Sequence, residues 1–169
     1  MSVTVLKPGQ PTPLNTQPGD FLLVHGTRPL SRLIELGQRA KHPRDAARWT
    51  HAASLEGPYL SEAQRSGVSR SRADKYDHEL RAVIRLDATR HKRDEAAKYL
   101  ARTVGMEYGF LDFASVALSQ LFGFQLIVTT SDALICSQRV AEMLQRIGIF
   151  FKEPALTTPA DLWAGFVGR

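Results

Sequence analysis

Cysteine is nearly missing from this chain. Cys136 is the single thiol among 169 residues, which excludes an intrachain disulfide framework and any zinc cluster built on cysteines. Long apolar runs are missing too, since no stretch approaches the ~18 residues that a membrane helix needs. The opening MSVTVLKPGQPTPLNTQPGD is polar and proline-rich and lacks the apolar centre of a secretory signal. Cytoplasmic localisation is therefore the default expectation, and delivery by a phage particle or a secretion apparatus would leave the same sequence. The common nucleotide loops, G-x-x-x-x-G-K-[ST] and G-x-G-x-x-G, do not occur, nor does a G-x-S-x-G elbow. His25, His42, His51, His78 and His91 show no metal-ligand spacing, so neither metal nor organic cofactor is expected.

The chain nevertheless has ample material for a core. It is 43% hydrophobic and 23% charged, and its length corresponds to about one domain. An irregular N-terminal arm is expected over 1–17, where Pro8, Pro11 and Pro13 oppose regular structure, and a single domain over 18–169. The formal charge of +5 gives a mild preference for anionic surroundings. Arg39, Lys41, Arg44, Arg48, Arg65, Arg70, Arg72 and Lys75 form the alternative to an enzyme, a phosphate-binding stripe on a non-enzymatic module. Few aromatic residues interleave with them, so base stacking has little support. They read better as solvated loop charges, and nucleic acid is not an expected partner.

Hydrophobic patterning predicts a buried strand at 21–25, a helix at 30–39 and a charged loop at 41–48. A strand at 49–56 turns at Gly57-Pro58 into a return strand at 59–63. Residues 65–77 are polar and basic without periodicity and read as an exposed loop. A strand follows at 80–86, then helices at 91–104, at 111–122 and up to 147. The tail, 149–169, reads as strand or coil. This order describes an α+β domain with a small antiparallel sheet packed against helices.

Three residues stand out chemically. Cys136 lies near the start of the helix that ends at Ile147, where unpaired backbone N–H groups and the helix dipole favour a thiolate. His51 is followed by the small residues Ala52 and Ala53, which leave space for a neighbouring side chain. If Gly57-Pro58 closes a tight hairpin, Ala53 faces Glu62, and His51 lies diagonally across on the same face, within reach of the carboxylate. Taken singly, each has an ordinary structural reading. Cys136 would be a small core hydrophobe, His51 a half-buried imidazole and Glu62 a solvated carboxylate.

Taken together, the motifs resemble a family. Pro18-Gly19-Asp20 followed by Phe21-Leu22-Leu23-Val24, then Thr50-His51-Ala52-Ala53, then Glu62-Ala63, then Ile135-Cys136-Ser137-Gln138-Arg139-Val140-Ala141, resemble in order the circularly permuted NlpC/P60-like (papain-like) cysteine peptidases, the group with YiiX-type and LRAT-type proteins. Tyr108-Gly109-Phe110 and Thr158-Pro159-Ala160-Asp161-Leu162 look like that group's accessory tyrosine and C-terminal segments. Gln138 and Ile135 depart from the glutamate and aromatic common there. The resemblance implies a permuted papain-like fold and a triad in which Cys136 is nucleophile, His51 base and Glu62 orienter. It implies an oxyanion contact from the Cys136 N–H, and Tyr108 as an oxyanion or substrate contact, against a plain reading of Tyr108 as a core tyrosine. The implied reaction is hydrolysis of a peptide or isopeptide amide, such as a cell-wall peptide, through a thioester and without cofactor. Acyl transfer or hydrolysis on a lipid-amide substrate is the alternative on the same fold. The basic 65–75 segment and the lack of an anchor favour a polar or anionic substrate.

Overall fold

A computed structural model describes residues 1–64, 67–106, 132–149 and 153–167. The elements are β1 (Ser2–Leu6), β2 (Phe21–His25), α1 (Pro29–Gln38), α2 (Arg44–Ala47), β3 (His51–Glu56), β4 (Tyr59–Gln64), β5 (Gly67–Arg72), β6 (Leu80–Arg85), α3 (Arg90–Thr103), α4 (Asp132–Arg146) and α5 (Pro159–Val167). Short 3₁₀ turns occupy Ala73–Tyr76 and Pro154–Leu156. The six strands form one sheet in the order β1-β6-β2-β3-β4-β5, and every pairing is antiparallel. The molecule is therefore α+β. Among the described residues no helix is long and apolar enough to cross a membrane.

Alternation along the strands divides the core between the two faces of the sheet. Phe21, Leu23, Ala52, Ala82 and Ile84 pack with Leu100 of α3, Cys136, Val140 and Leu144 of α4, and Phe166 of α5. Leu22, Val24, Ala53, Leu55, Leu60 and Val83 turn the other way, over Ala73 and Tyr76. Because β2 is covered on both faces it reads as a continuous apolar run rather than an alternating one.

Buried polar groups fix the layers against each other. The Asp20 carboxylate is 2% exposed. It accepts from Gln17 N–H (3.0 Å), Leu86 N–H (3.0 Å) and Arg93 Nη1 (2.6 Å), tying the start of β2 to the end of β6 and to α3. Gln38 donates to the carbonyls of Ala47 (2.9 Å) and Trp49 (2.8 Å) and accepts from Ala160 N–H (3.0 Å), which joins α1, the entry to β3 and α5. Arg81, buried in β6, donates to the carbonyls of Tyr76, Glu79 and Gln10 and pairs with Asp77.

Several sequence expectations need correction. The arm over 1–17 is not irregular throughout, because Ser2–Leu6 pairs with β6 as an edge strand. Residues 67–77, the described part of the segment expected as a loop, are not an exposed loop. Gly67–Arg72 pairs along the whole of β4, and Ala73–Tyr76 folds under the sheet. The 41–48 loop holds α2. The tail forms α5 rather than strand or coil: Asp161 accepts from the N–H and hydroxyl of Thr158 (2.8 and 2.6 Å) at the helix start, and Phe166 stacks edge-on against Phe21. The predicted helix at 111–122 and Tyr108 lie outside the described residues.

Candidate active site

The hairpin of β3 and β4 has the predicted register, with Ser54 opposite Ser61, Leu55 opposite Leu60 and Glu56 opposite Tyr59. The ladder stops there. β3 continues along β2 to His51, and β4 continues along β5 to Gln64. The Ala52 N–H donates to Cys136 Sγ (3.3 Å) instead of to a β4 carbonyl. Cys136 arrives from α4, on the helix side of the sheet. His51, opposite Val24, and Glu62, two residues on from Leu60, sit on the other face. The three side chains meet where the two strands part.

His51 Nε2 lies 2.7 Å from Glu62 Oε2. That contact leaves Nδ1 as the ring nitrogen for the hydrogen bond with Cys136. Burial alone would lower the His51 pKa. The charge of Cys136 and the hydrogen bonds with Cys136 and Glu62 outweigh it and carry the value up to about 10. Glu62 is 1% exposed. Burial would raise its pKa, but its bond to His51 and the imidazolium charge, together with Lys75 and Tyr76, bring it down to about 2. The two shifts run in opposite directions, so the contact favours an ionised carboxylate facing a protonated imidazole.

Small residues make this approach feasible. Ala52 and Ala141 are fully buried with Cys136 in the contact of β3 with α4. Residues around the thiol anchor α4. Ser137 Oγ donates to the Thr157 carbonyl (2.6 Å), Gln138 donates to Glu142 (2.9 Å), Tyr99 donates to the same carboxylate (2.6 Å), and Arg139 donates to Thr103 Oγ1 (2.7 Å). One implied role changes. Cys136 is the fifth residue of α4, where regular helical geometry aims an N–H at the carbonyl four residues back, which argues against the oxyanion role that the resemblance implies. The dipole also weakens beyond the first turn, so the cation of His51 and the Ala52 N–H are the groups facing the sulfur.

The structure brings Cys136, His51 and Glu62 together, while Tyr108 lies outside the described residues. Sequence reasoning missed Lys75 and Tyr76. Lys75 Nζ donates to Glu62 Oε1, and Tyr76 OH donates to Oε2 (2.6 Å). Lys75 was grouped with the basic stripe, and no periodicity in 65–77 signals its contact. Three others of that group are also paired, Arg39 with Glu35, Arg70 with Glu56 and Arg72 with Asp74, which weakens the stripe as an anion site. Among the described residues no group of three or more His, Cys, Asp or Glu is placed to hold a metal ion. Comparison with protein-family models finds no match to the chain, and comparison with curated proteins finds none.

Proposed function

We propose that the chain is a cysteine-dependent hydrolase that cleaves a peptide or isopeptide amide through a thioester, on a circularly permuted papain-like, NlpC/P60-like fold. One observation carries this reading: the connected set of Cys136, His51 and Glu62, with Nε2–Oε2 at 2.7 Å and Sγ at 3.3 Å from the Ala52 nitrogen. The histidine strand precedes the cysteine helix in the chain, the order a permuted domain has. Cys136 Sγ attacks the substrate carbonyl, and the C–N bond breaks as His51 gives its proton to the leaving amine. A water then loses a proton to His51 and attacks the thioester, and the C–S bond breaks to release the acid and restore the thiolate beside the protonated His51. Glu62 holds the ring and balances its charge throughout. The positive net charge of +5 favours a polar or anionic peptide, such as a cell-wall peptide, over a lipid amide.

The single thiol makes the test direct. Folded protein is treated with iodoacetamide at pH 6–7, and the extent of labelling at Cys136 is followed by mass. A nucleophile assisted by His51 labels without denaturant, and His51→Ala slows it about tenfold or more, a typical effect of removing an acid-base partner. A cysteine that only fills the core labels after unfolding, indifferent to His51→Ala, and that result sinks the proposal.

A further inference from the structure

We propose that Lys75 and Tyr76 are positioning residues that hold Glu62 ionised and immobile, so that His51 meets Cys136 in one fixed orientation. The inference rests on the catalytic reading above. It starts from the crowding around one buried carboxylate. Oε2 accepts from His51 Nε2 (2.7 Å) and Tyr76 OH (2.6 Å), and Oε1 accepts from Lys75 Nζ, Gln64 Nε2 (2.8 Å) and Ser71 Oγ (3.4 Å). An ionised carboxylate has about four lone-pair sites and no proton, so it can receive the four shorter bonds, with Ser71 at 3.4 Å a weaker fifth contact, whereas a protonated one has to give up an acceptor position.

His51 alone would leave the other oxygen of a fully buried anion dependent on the neutral amide of Gln64 and the longer contact from Ser71. Lys75 supplies a cation on Oε1, opposite the imidazolium on Oε2. Its side chain is 35% exposed, so the ammonium keeps part of its hydration while it bonds inward. Tyr76 shares Oε2 with His51, and its ring lies 5.4 Å from the imidazole, centroid to centroid. The phenol stays protonated and donates, because burial and then the charge of Glu62 push its pKa up. The groups acting on the cluster come from four directions: His51 on β3, Cys136 on α4, Lys75 and Tyr76 on the 3₁₀ turn, and Arg28 from the β2–α1 loop.

This assigns a purpose to a segment that looks like a basic loop in sequence. The β5 strand and the 3₁₀ turn bring two consecutive side chains under β4, one to each carboxylate oxygen. The pair fixes the rotamer of Glu62 from below, and Glu62 in turn fixes the ring.

Two measurements test it on the full chain. The first follows the ¹³C resonance of the Glu62 carboxyl with pH, assigned by its loss in Glu62→Gln. Lys75→Met is expected to raise the titration midpoint by about one pH unit or more, and Lys75→Arg to restore most of the difference. The second is the iodoacetamide rate at Cys136 at pH 7. Lys75→Met and Tyr76→Phe should slow it about three- to tenfold, less than His51→Ala does, with Lys75→Arg near wild type. If Lys75→Met does not fold, Tyr76→Phe decides the matter by the same two readouts. Unchanged Glu62 titration, or an unchanged alkylation rate, in a folded variant overturns the inference. Should His51→Ala alkylate as fast as wild type, the catalytic reading fails instead, and the carboxyl titration still reports separately on what Lys75 and Tyr76 do.

Discussion

Replacing Glu62 by glutamine should make the stability of the protein lose a defined part of its pH dependence. The carboxyl is fully buried, with its pKa held down from its ordinary 4.5 to about 2 by His51, Lys75 and Tyr76. A group whose pKa is depressed on folding stabilises the fold above its unfolded value, and that contribution disappears as pH falls through the folded value. At about 1.4 kcal/mol per pH unit, the gap amounts to about 3 kcal/mol near pH 6. Integrating the same linkage leaves about 1 kcal/mol at pH 3. Glutamine has the shape of glutamate but cannot titrate, and it turns a donor toward groups that are themselves donors. The difference in unfolding free energy between wild type and Glu62→Gln should therefore shrink by about 2 kcal/mol from pH 6 to pH 3. Below pH 6 the unfolded His51 is already protonated, so the histidine adds little slope across that window. Urea titrations followed by the fluorescence of Trp49 and Trp163 measure it directly. A difference that stays flat between pH 6 and pH 3 would refute the argument, because it would mean that Glu62 is not held as an anion by its neighbours.

On hydrolysis of p-nitrophenyl acetate, Cys136→Ala should abolish the protein-dependent rate, while Glu62→Gln retains a measurable fraction, since an orienting group is less essential than the nucleophile. Asp20→Asn keeps the shape of the clasp between β2, β6 and α3 but leaves Arg93 without its counter-charge. A loss of about 3 kcal/mol, read as a lower urea midpoint at constant m value, is expected. Gln38→Met leaves the Ala160 N–H and the carbonyls of Ala47 and Trp49 without their partner, which should cost about 3 kcal/mol. A loss under about 0.5 kcal/mol would show that water replaces the amide.

The parts of the structure that sequence reasoning reached are those governed by short-range rules. Gly57-Pro58 sets the β3–β4 register, and the register brings Glu62 within reach of His51. The apolar runs at 21–25 and 80–86 identify β2 and β6 because both are covered by core. β1 and β5 were not legible, for a common reason. Each lies at an edge of the sheet, where Ser2, Thr4, Ser69 and Arg70 need not alternate strongly between core and solvent. Without β5 there was no way to place Lys75 and Tyr76 under Glu62. α5 was hidden by the tail's Pro154 and Pro159, although Pro159 opens the helix, where a missing N–H costs nothing. Cys136 lies near the start of α4, as the sequence suggests, but as its fifth residue it falls just past the unpaired N–H groups of the first turn.

The bond between the Ala52 nitrogen and Cys136 Sγ spans 84 residues of chain, and the last helix closes onto Gln38 across 122. Synthesis proceeds from the N-terminus, so β1 to β6, with His51, Glu62, Lys75 and Tyr76, emerge well before the sulfur they surround. On the proposed reading, a nascent chain would carry the carboxylate and imidazole before any nucleophile has emerged, and the thiol would lack its base until α4 docks on β3. Reactivity is thus acquired late, as a property of the finished molecule. In refolding experiments, fast alkylation at Cys136 should appear with the slowest phase, after the tryptophan signal of early collapse, so the thiol serves as a built-in clock for the completion of long-range contacts.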